Sequence, residues 1–505
     1  MFVLINIWVT DDRKNIFPLG LAYVAACYEK FGKVKVFDMH YLKNVDELID
    51  YFYKNEVRFA GFSVCSSHES MSRSSYLAKT IKRVSPNTIV GIGGPHATYQ
   101  GIDIIRNHLE FDVAFVGEGE LSAMQFAKNI VDGKSNCYEG VNNIYYRNSE
   151  GEVESAEYRK NDVYILPARH LFPTCKEYTD KFKQSPPVIC IESTRGCVGK
   201  CNFCALKLDQ INGFVKKNLD LFHQDLVLTI NSQKLGQADL FFVDADFLIS
   251  KERTKKIIDI IKSCPQVRFY SISSCTDSVL RCGEILDDLF DSGCTYIEIG
   301  VESFSEEQIK RYNKRSSVEK SIEAIELLKK KQEKYKFSYQ IDIIMFEPFA
   351  SLEDIKITNG FLQKYTYASS SNEHNFFHMM ELFPGTNYRT MTETAKLCMA
   401  SSEMDIPFWK FRDSRVAELY RVVSLYNNKI FTLKKALEKK IEERICNSGK
   451  LDCSDIRNLR ILKTMTYKWF DEMVNSNSHE HYIKIFKKYY ELYQKIERGY
   501  HHETE

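Results

Sequence analysis

Twice along this chain short β-rich runs alternate with helical stretches, and that rhythm restricts the fold more than any other feature. Across residues 1–140 the strand-like runs are Met1–Val9, Val34–Asp38, Phe59–Val64, Thr88–Ile92 and Val113–Val116. Helical patterns separate them at Leu19–Phe31, Val45–Tyr53, Met71–Val84, Asp103–Asn107 and Glu120–Ile130. Strands joined through helices run parallel, and a parallel sheet needs helices over both faces. The expectation is a doubly wound α/β domain over 1–140. Its ligand-binding loops should lie at the carboxyl ends of the strands, at Ser63–Ser67, Gly93–Thr98 and Gly117–Glu120.

Over 141–185 the rhythm breaks. Ile144–Arg147, a turn at Asn148–Gly151 and Glu152–Tyr158 read as a hairpin within a proline-spaced linker. A second series starts at Val188–Glu192 and continues through Leu240–Val243, Val267–Ser271, Tyr296–Ile299, Tyr339–Ile344 and Phe376–Met380. That makes six βα-type units within 186–395, short of the eight in a closed barrel. From 396 to 505 strand signals vanish, and amphipathic helices such as Val416–Arg444 and Tyr482–Arg498 predict an all-α region.

A chain of 505 residues is too long for one core, which agrees with this division. Its 69 basic and 68 acidic side chains leave a net charge of +1, so no overall field draws nucleic acid or an anionic membrane. No apolar run is long enough to span a bilayer, and the apolar N-terminus lacks the basic lead and small-residue cleavage site of a signal peptide. The 15 cysteines are scattered as in a reduced, cytoplasmic protein, so a local cluster of them points to a metal.

Such a cluster exists. Ser193-Thr-Arg-Gly-Cys197-Val-Gly-Lys-Cys201-Asn-Phe-Cys204 places three cysteines directly after the first strand of the second series. At this cysteine content the spacing arises by chance in roughly one per cent of chains. The surrounding Arg195, Gly196, Gly199, Lys200 and Asn202 make a polar loop, unlike the setting of buried packing cysteines. Zinc would want four ligands, and Cys190 within the preceding strand is the nearest fourth thiol. Three thiolates on a four-iron cluster would instead leave one iron open to a substrate-like ligand.

At these residues the chain resembles the radical S-adenosylmethionine (SAM) superfamily, whose hallmark is CxxxCxΦC; Phe203 takes the aromatic place. The resemblance implies a [4Fe–4S] cluster on Cys197, Cys201 and Cys204, with SAM on the open iron. Reductive cleavage of SAM would then yield a 5′-deoxyadenosyl radical. Phe241-Phe-Val-Asp244-Ala-Asp246-Phe247 is similar to the family's FxDDxF-type segment near the methionine amino group. Tyr296-Ile-Glu-Ile-Gly300-Val-Glu302-Ser303, followed by Asn313-Lys314, resembles its fourth-strand segment and makes Glu302 a candidate SAM contact. Ile341–Pro348 and Leu382–Thr386 match its later strands.

Residues 1–140 look like the Rossmann-like cobalamin-binding domain that precedes the radical domain in one large, methylase-like (class B) subgroup. The matching pieces are Pro18–Ala22, Gly61-Phe-Ser63, Gly91-Ile-Gly-Gly-Pro-His-Ala-Thr98 and Val116-Gly-Glu-Gly-Glu120. The resemblance thereby implies cobalamin contacts at Ser63, Gly93, Gly94, Pro95, His96, Thr98, Gly117, Glu118, Gly119 and Glu120. A dinucleotide site would want GxGxxG after the first strand, where Pro18-Leu-Gly20 stands instead. Asp38-Met-His40 starts like a lower-axial DxHxxG motif, but Lys43 replaces the glycine, so His40 reads as an ordinary loop histidine.

The resulting expectation is a radical SAM enzyme built on a partial (β/α)6 barrel. The leading reading is cobalamin-dependent methylation of an unactivated carbon in a small molecule or peptide, with a flavodoxin or ferredoxin as electron donor. A radical rearrangement, cyclisation or oxidation without methyl transfer is the second reading. A non-enzymatic cobalamin- or zinc-binding regulator is the third. Neither nucleic acid nor membrane is expected as a partner.

Overall fold

The computed structural model describes residues 1–7, 16–42, 44–65, 68–161, 163–182, 188–206, 213–232, 238–365, 373–399, 409–426, 453–476 and 479–502. The first sheet comprises β1 (Phe2–Asn6), β2 (Val34–Asp38), β3 (Phe59–Ser63), β4 (Ile89–Gly93), β5 (Val113–Phe115), β6 (Ile144–Arg147) and β7 (Val153–Ser155), in the order β2-β1-β3-β4-β5-β6-β7. Its first five strands pair in parallel. Val3, Ile5, Ala60, Phe62, Val90 and Ile92 are buried under helices on one face, and Phe2, Leu4 and Phe59 on the other. Burial on both faces is what a doubly wound, Rossmann-like sheet requires.

Two expectations change here. The hairpin assigned to the linker, β6–β7, extends the sheet antiparallel from β5, so its backbone groups cap a sheet edge. A helical turn from Pro95 precedes the helix expected at Asp103–Asn107 and joins it across a kink at Gln100; Gly94 turns the chain at φ +95° and Pro95 supplies a ready-made first helical position. Pro95, His96 and Thr98 therefore sit in a helical turn at the end of β4, not in a loop.

The second sheet comprises β8 (Ile189–Ile191), β11 (Ala238–Phe242), β12 (Val267–Cys275), β13 (Cys294–Glu302) and β14 (Ser338–Ile343), all parallel, in the order β14-β13-β12-β11-β8. Between β8 and β11 a small antiparallel pair forms from β9 (Thr194–Arg195) and β10 (Val215–Lys216). The sixth strand expected at Phe376–Met380 is reduced to one parallel bridge, Phe346 to Met379. The chain turns there through a 3-10 segment at Glu373–Phe376, and Phe376 packs on Tyr467 and Phe470 at 4.8 and 4.5 Å. The partial barrel thus ends against the C-terminal helices Cys453–Val474 and His479–His502, which bury Trp469 and Phe470 completely. Of the helix expected at Val416–Arg444, residues 414–426 are helical and the remainder lies outside the described residues, as do the ends of the Met1–Val9 and Ser63–Ser67 segments.

Along β12–β14 the two faces differ. Ile272, Ile297, Ile299, Val301, Tyr339 and Ile341 are buried beneath the helices. The alternating half-buried positions, Ser273 and Cys275, Glu298, Gly300 and Glu302, and Gln340 and Asp342, line the inside of the curve. A closed barrel fills its interior with branched apolar residues. This one leaves a polar lumen.

Candidate active site

The three cysteines of the motif follow β9 at the open end of that lumen. Gly199 is packed against them: its N–H donates to Cys197 Sγ at 3.3 Å, and a Cβ added there would lie 3.3 Å from that sulfur and 3.9 Å from Cys201 Sγ. The loop is pinned from the opposite side. Asn202 donates from N to Tyr312 O at 2.8 Å and from Nδ2 to Arg311 O at 3.0 Å, and accepts from Tyr388 N at 3.0 Å. Asn313, in the left-handed conformation after the helix Glu306–Tyr312, donates to Lys200 O at 3.0 Å. Phe203 sets its ring edge-on to Tyr312 at 5.3 Å, which locates the aromatic of the motif as a packing anchor of the loop.

A hydrogen bond with Cys275 at the end of β12 acts most strongly on Cys197, outweighs burial, and with Gly199 N–H brings the thiol down to about 6. Burial pushes Cys201 up and Cys204 up to about 11. Among the described residues no three His, Cys, Asp or Glu side chains are grouped to hold a single ion. A tetrahedral zinc site, with Zn–S near 2.3 Å, would draw its sulfurs to within about 3.8 Å of one another. Cys190, the fourth thiol weighed for zinc, is fully buried in β8 and belongs to a different cavity. The donor set fits a larger cluster in which each thiolate takes a separate iron.

The remaining barrel residues fall into two kinds. Asp244 and Asp246 are each 1% exposed. Asp244 accepts from Ser193 N, Ser193 Oγ and Thr194 Oγ1 at 2.9, 2.6 and 2.6 Å, so it shapes the turn that leads into the cysteine loop. Asp246 accepts from Ser274 Oγ, Cys275 N and Ser278 Oγ at 2.6, 3.1 and 2.7 Å, with Arg315 at 3.4 Å. Glu302 faces the lumen at φ +70°, paired with Lys314 Nζ at 2.9 Å. Gly300 makes that geometry possible, since a Cβ there would meet Glu302 Oε1 at 2.7 Å.

A cavity of about 480 Å³ opens between the two sheets. Its first wall holds Ser63, Gly93, Gly94, Pro95, Gly117, Glu118, Gly119 and Glu120 from the strand ends of the first sheet, and Pro18, Leu19 and Gly20. Its second wall holds Cys190, Glu192, Arg195 and Val243. His96 and Thr98 stand behind the lining: Thr98 Oγ1 donates to Gly94 O and accepts from Gly117 N, both at 3.0 Å, and so ties two glycine turns together. Gly20 borders the cavity, and a Cβ there would meet nothing within 4 Å. A glycine-edged, largely apolar wall suits a large flat macrocycle. No histidine is among the cavity's described lining residues. His40 lies in the short helix Met39–Leu42 rather than in a loop, because its N–H caps onto Asp38 Oδ1 at 3.1 Å.

Sequence reasoning did not single out Arg195, Glu192 and Tyr23 on the cavity wall, or Cys275, Glu298 and Asp342 in the lumen. The polar alternation Glu298-Ile-Gly-Val-Glu302 carried a signal for the lumen. Little local marked Arg195, two of whose carboxylate partners, Glu118 and Glu120, come from the strand ends of the first sheet.

Comparisons with known proteins agree with this arrangement. The radical SAM superfamily model matches residues 191–356, and the B12 binding domain model matches residues 7–127. The hopanoid C-3 methylase of Methylococcus capsulatus is 25% identical over 315 residues, covering 61% of this chain and 58% of that protein. An uncharacterised methyltransferase of Pyrococcus horikoshii is 24% identical over 319 residues, covering 62% of this chain and 66% of that protein. The chain thus matches less than two thirds of the length of these curated relatives. The cobalamin-dependent SAM radical enzyme OxsB, solved with aqua-cobalamin and SAM, superposes with a TM-score of 0.77 over 99% of this chain and 80% of that one, at 16% identity. The radical SAM methyltransferase TsrM from Kitasatospora setae, solved with cobalamin and a [4Fe–4S] cluster, gives 0.63 over 79% and 76%, at 14% identity; both likenesses are of fold.

The chain thus carries a radical SAM domain and a B12-binding domain, in the fold that cobalamin-dependent radical SAM enzymes share. A radical SAM domain implies a [4Fe–4S] cluster and SAM, and a B12-binding domain implies cobalamin. Among the described residues no helix is long and apolar enough to cross a membrane.

Proposed function

We propose that this chain methylates an unactivated carbon of a small molecule or peptide, drawing its electron from an external low-potential protein donor. The observation that carries the reading is the shared wall. β8 contributes Cys190 to the inter-sheet cavity and, seven positions on, the same stretch of chain reaches the cluster loop at Cys197. When bound, the cluster supplies the electron that cleaves SAM to an adenosyl radical, and cobalamin supplies the methyl group.

The chain's own residues do the positioning. Cys197, Cys201 and Cys204 would hold the cluster and leave one iron for SAM. The lumen beneath it, edged by Glu302 and Asp342, would receive SAM's polar groups. Asp244 and Asp246 set the backbone of the loop and of the β12 end, and the strand-end glycines of the first sheet would seat the corrin. On this reading residues 1–140 with the β6–β7 hairpin form the cobalamin unit, the rest of 141–185 the connection, 186–395 the radical unit, and the described helices of 396–505 shape the substrate's access.

The test is anaerobic incubation of the cofactor-loaded chain with deuteromethyl-SAM and extract or candidate peptides. A product three deuterons heavier in its new methyl group supports the reading. Formation of 5′-deoxyadenosine without transferred deuteromethyl overturns it in favour of radical chemistry without methylation.

A further inference from the structure

One guanidinium gathers three carboxylates on the wall between the two sheets. Arg195 lies 4.7 Å over the Tyr23 ring, and bonds Glu192 Oε1 through Nε at 2.8 Å. Its Nη1 reaches Glu118 Oε2 at 2.9 Å and Glu120 Oε1 at 2.6 Å. Asn161 Nδ2 also donates to Glu118 and Glu120, at 2.8 and 3.2 Å. Behind this plane, Lys217 pairs with Asp225 at 3.0 Å and donates to Tyr23 Oη at 2.6 Å, while Arg169 pairs with Asp225 at 3.2 Å.

Arg195, Glu118, Glu120 and Glu192 all line the 480 Å³ cavity. They also line a cavity of about 30 Å³ on its other side, enough for a water. Burial pushes Glu120 up, and Arg195 pulls it back. Three carboxylates around one guanidinium are more than the pairing of two sheets needs, and their charge faces a half-open, mainly apolar space where screening is weaker than at the surface.

We propose that Arg195 and its carboxylates tune the reduction potential of the cobalt bound in this cavity, with Arg195 as the positioning residue that keeps one positive charge on the wall. The proposal rests on the cavity being the cobalamin site. Reduction of cob(II)alamin to cob(I)alamin adds one electron from an external reductant and breaks no protein bond. A positive charge on the wall favours the added electron, and a carboxylate opposes it.

The experiment is an anaerobic spectroelectrochemical titration of the cob(II)/cob(I) couple in the full, cobalamin-loaded chain, comparing wild type with Arg195→Gln, Arg195→Lys and Glu192→Gln. The potential should move negative in Arg195→Gln, stay near wild type in Arg195→Lys, and move positive in Glu192→Gln. A merely structural role would not give opposite signs for opposite charges. Should Arg195→Gln not fold, the positive shift in Glu192→Gln decides alone. An unshifted potential in Glu192→Gln, or the same direction in both Gln variants, overturns the proposal while leaving the cavity assignment intact. A wild-type chain that shows no bound cob(II)alamin absorption before titration overturns the cavity assignment itself.

Discussion

Lys314 Nζ lies 2.9 Å from Glu302 Oε1, and this ion pair closes the lumen directly behind the cluster loop. Both side chains are sheltered, at 6% and 14% exposure. Burial alone would lower the Lys314 ammonium, but Glu302 together with the Cys275 and Cys201 thiols holds it above its ordinary range. Removing one partner leaves the other charge buried, so Glu302→Gln and Lys314→Met should each cost about 3 kcal/mol. The double variant should recover part of that loss, because it leaves no orphan charge. Chemical denaturation of the four proteins checks the cycle; additive losses would contradict the pairing.

Gly94 predicts a sharper failure. It turns at φ +95°, and a Cβ would lie 2.7 Å from Val64 O. Gly94→Ala adds backbone strain of about 1–3 kcal/mol to that contact and displaces the first turn of Pro95–Asn107. The variant should melt lower and retain less cobalamin after gel filtration, read from corrin absorbance. Gly133→Ala, also at positive φ but with nothing within 4 Å, should lower stability without touching cobalamin retention.

Asn202 anchors the cluster loop through its side-chain bond to Arg311 O at 3.0 Å. Asn202→Ala should destabilise by about 1 kcal/mol and lower the iron content after reconstitution. Iron assay and melting temperature together separate a loosened loop from a misfolded protein.

Asp342 gives the pH dependence. Burial, and then the neighbouring Glu298 carboxylate, raise it to about 7. A raised acid binds its proton more tightly when folded, so stability falls as pH rises from the unfolded value near 4 through 7, and the full cost applies above 7. Asp342→Asn escapes that cost. Its melting temperature should exceed wild type at pH 8, with the gain shrinking as pH falls from 7 towards 4. An unchanged difference across that range would contradict the assignment.

Much of this was legible because it is local. Strands at Val34–Asp38 and Ile144–Arg147 follow from short apolar or aromatic runs between turns, and the structure places them at those bounds. The cysteine loop was legible because three cysteines fall within eight residues. The sixth strand failed because Phe376–Met380 is apolar for another reason, packing on the C-terminal helix through Phe376. The hairpin was seen, but its pairing to β5 depends on a free sheet edge that sequence spacing does not reveal. Arg195 was passed over because its partners Glu118 and Glu120 lie about 75 residues away, and only the approach of the two sheets brings them together.

The central claim is that Cys197, Cys201 and Cys204 are an incomplete ligand set whose open place is where SAM reacts. Its most direct test is 5′-deoxyadenosine formation by the anaerobically reconstituted, reduced chain given SAM. Wild type with four irons bound should release 5′-deoxyadenosine, and Cys201→Ala should release none. A wild-type protein that carries its four irons and still leaves SAM uncleaved would contradict the account.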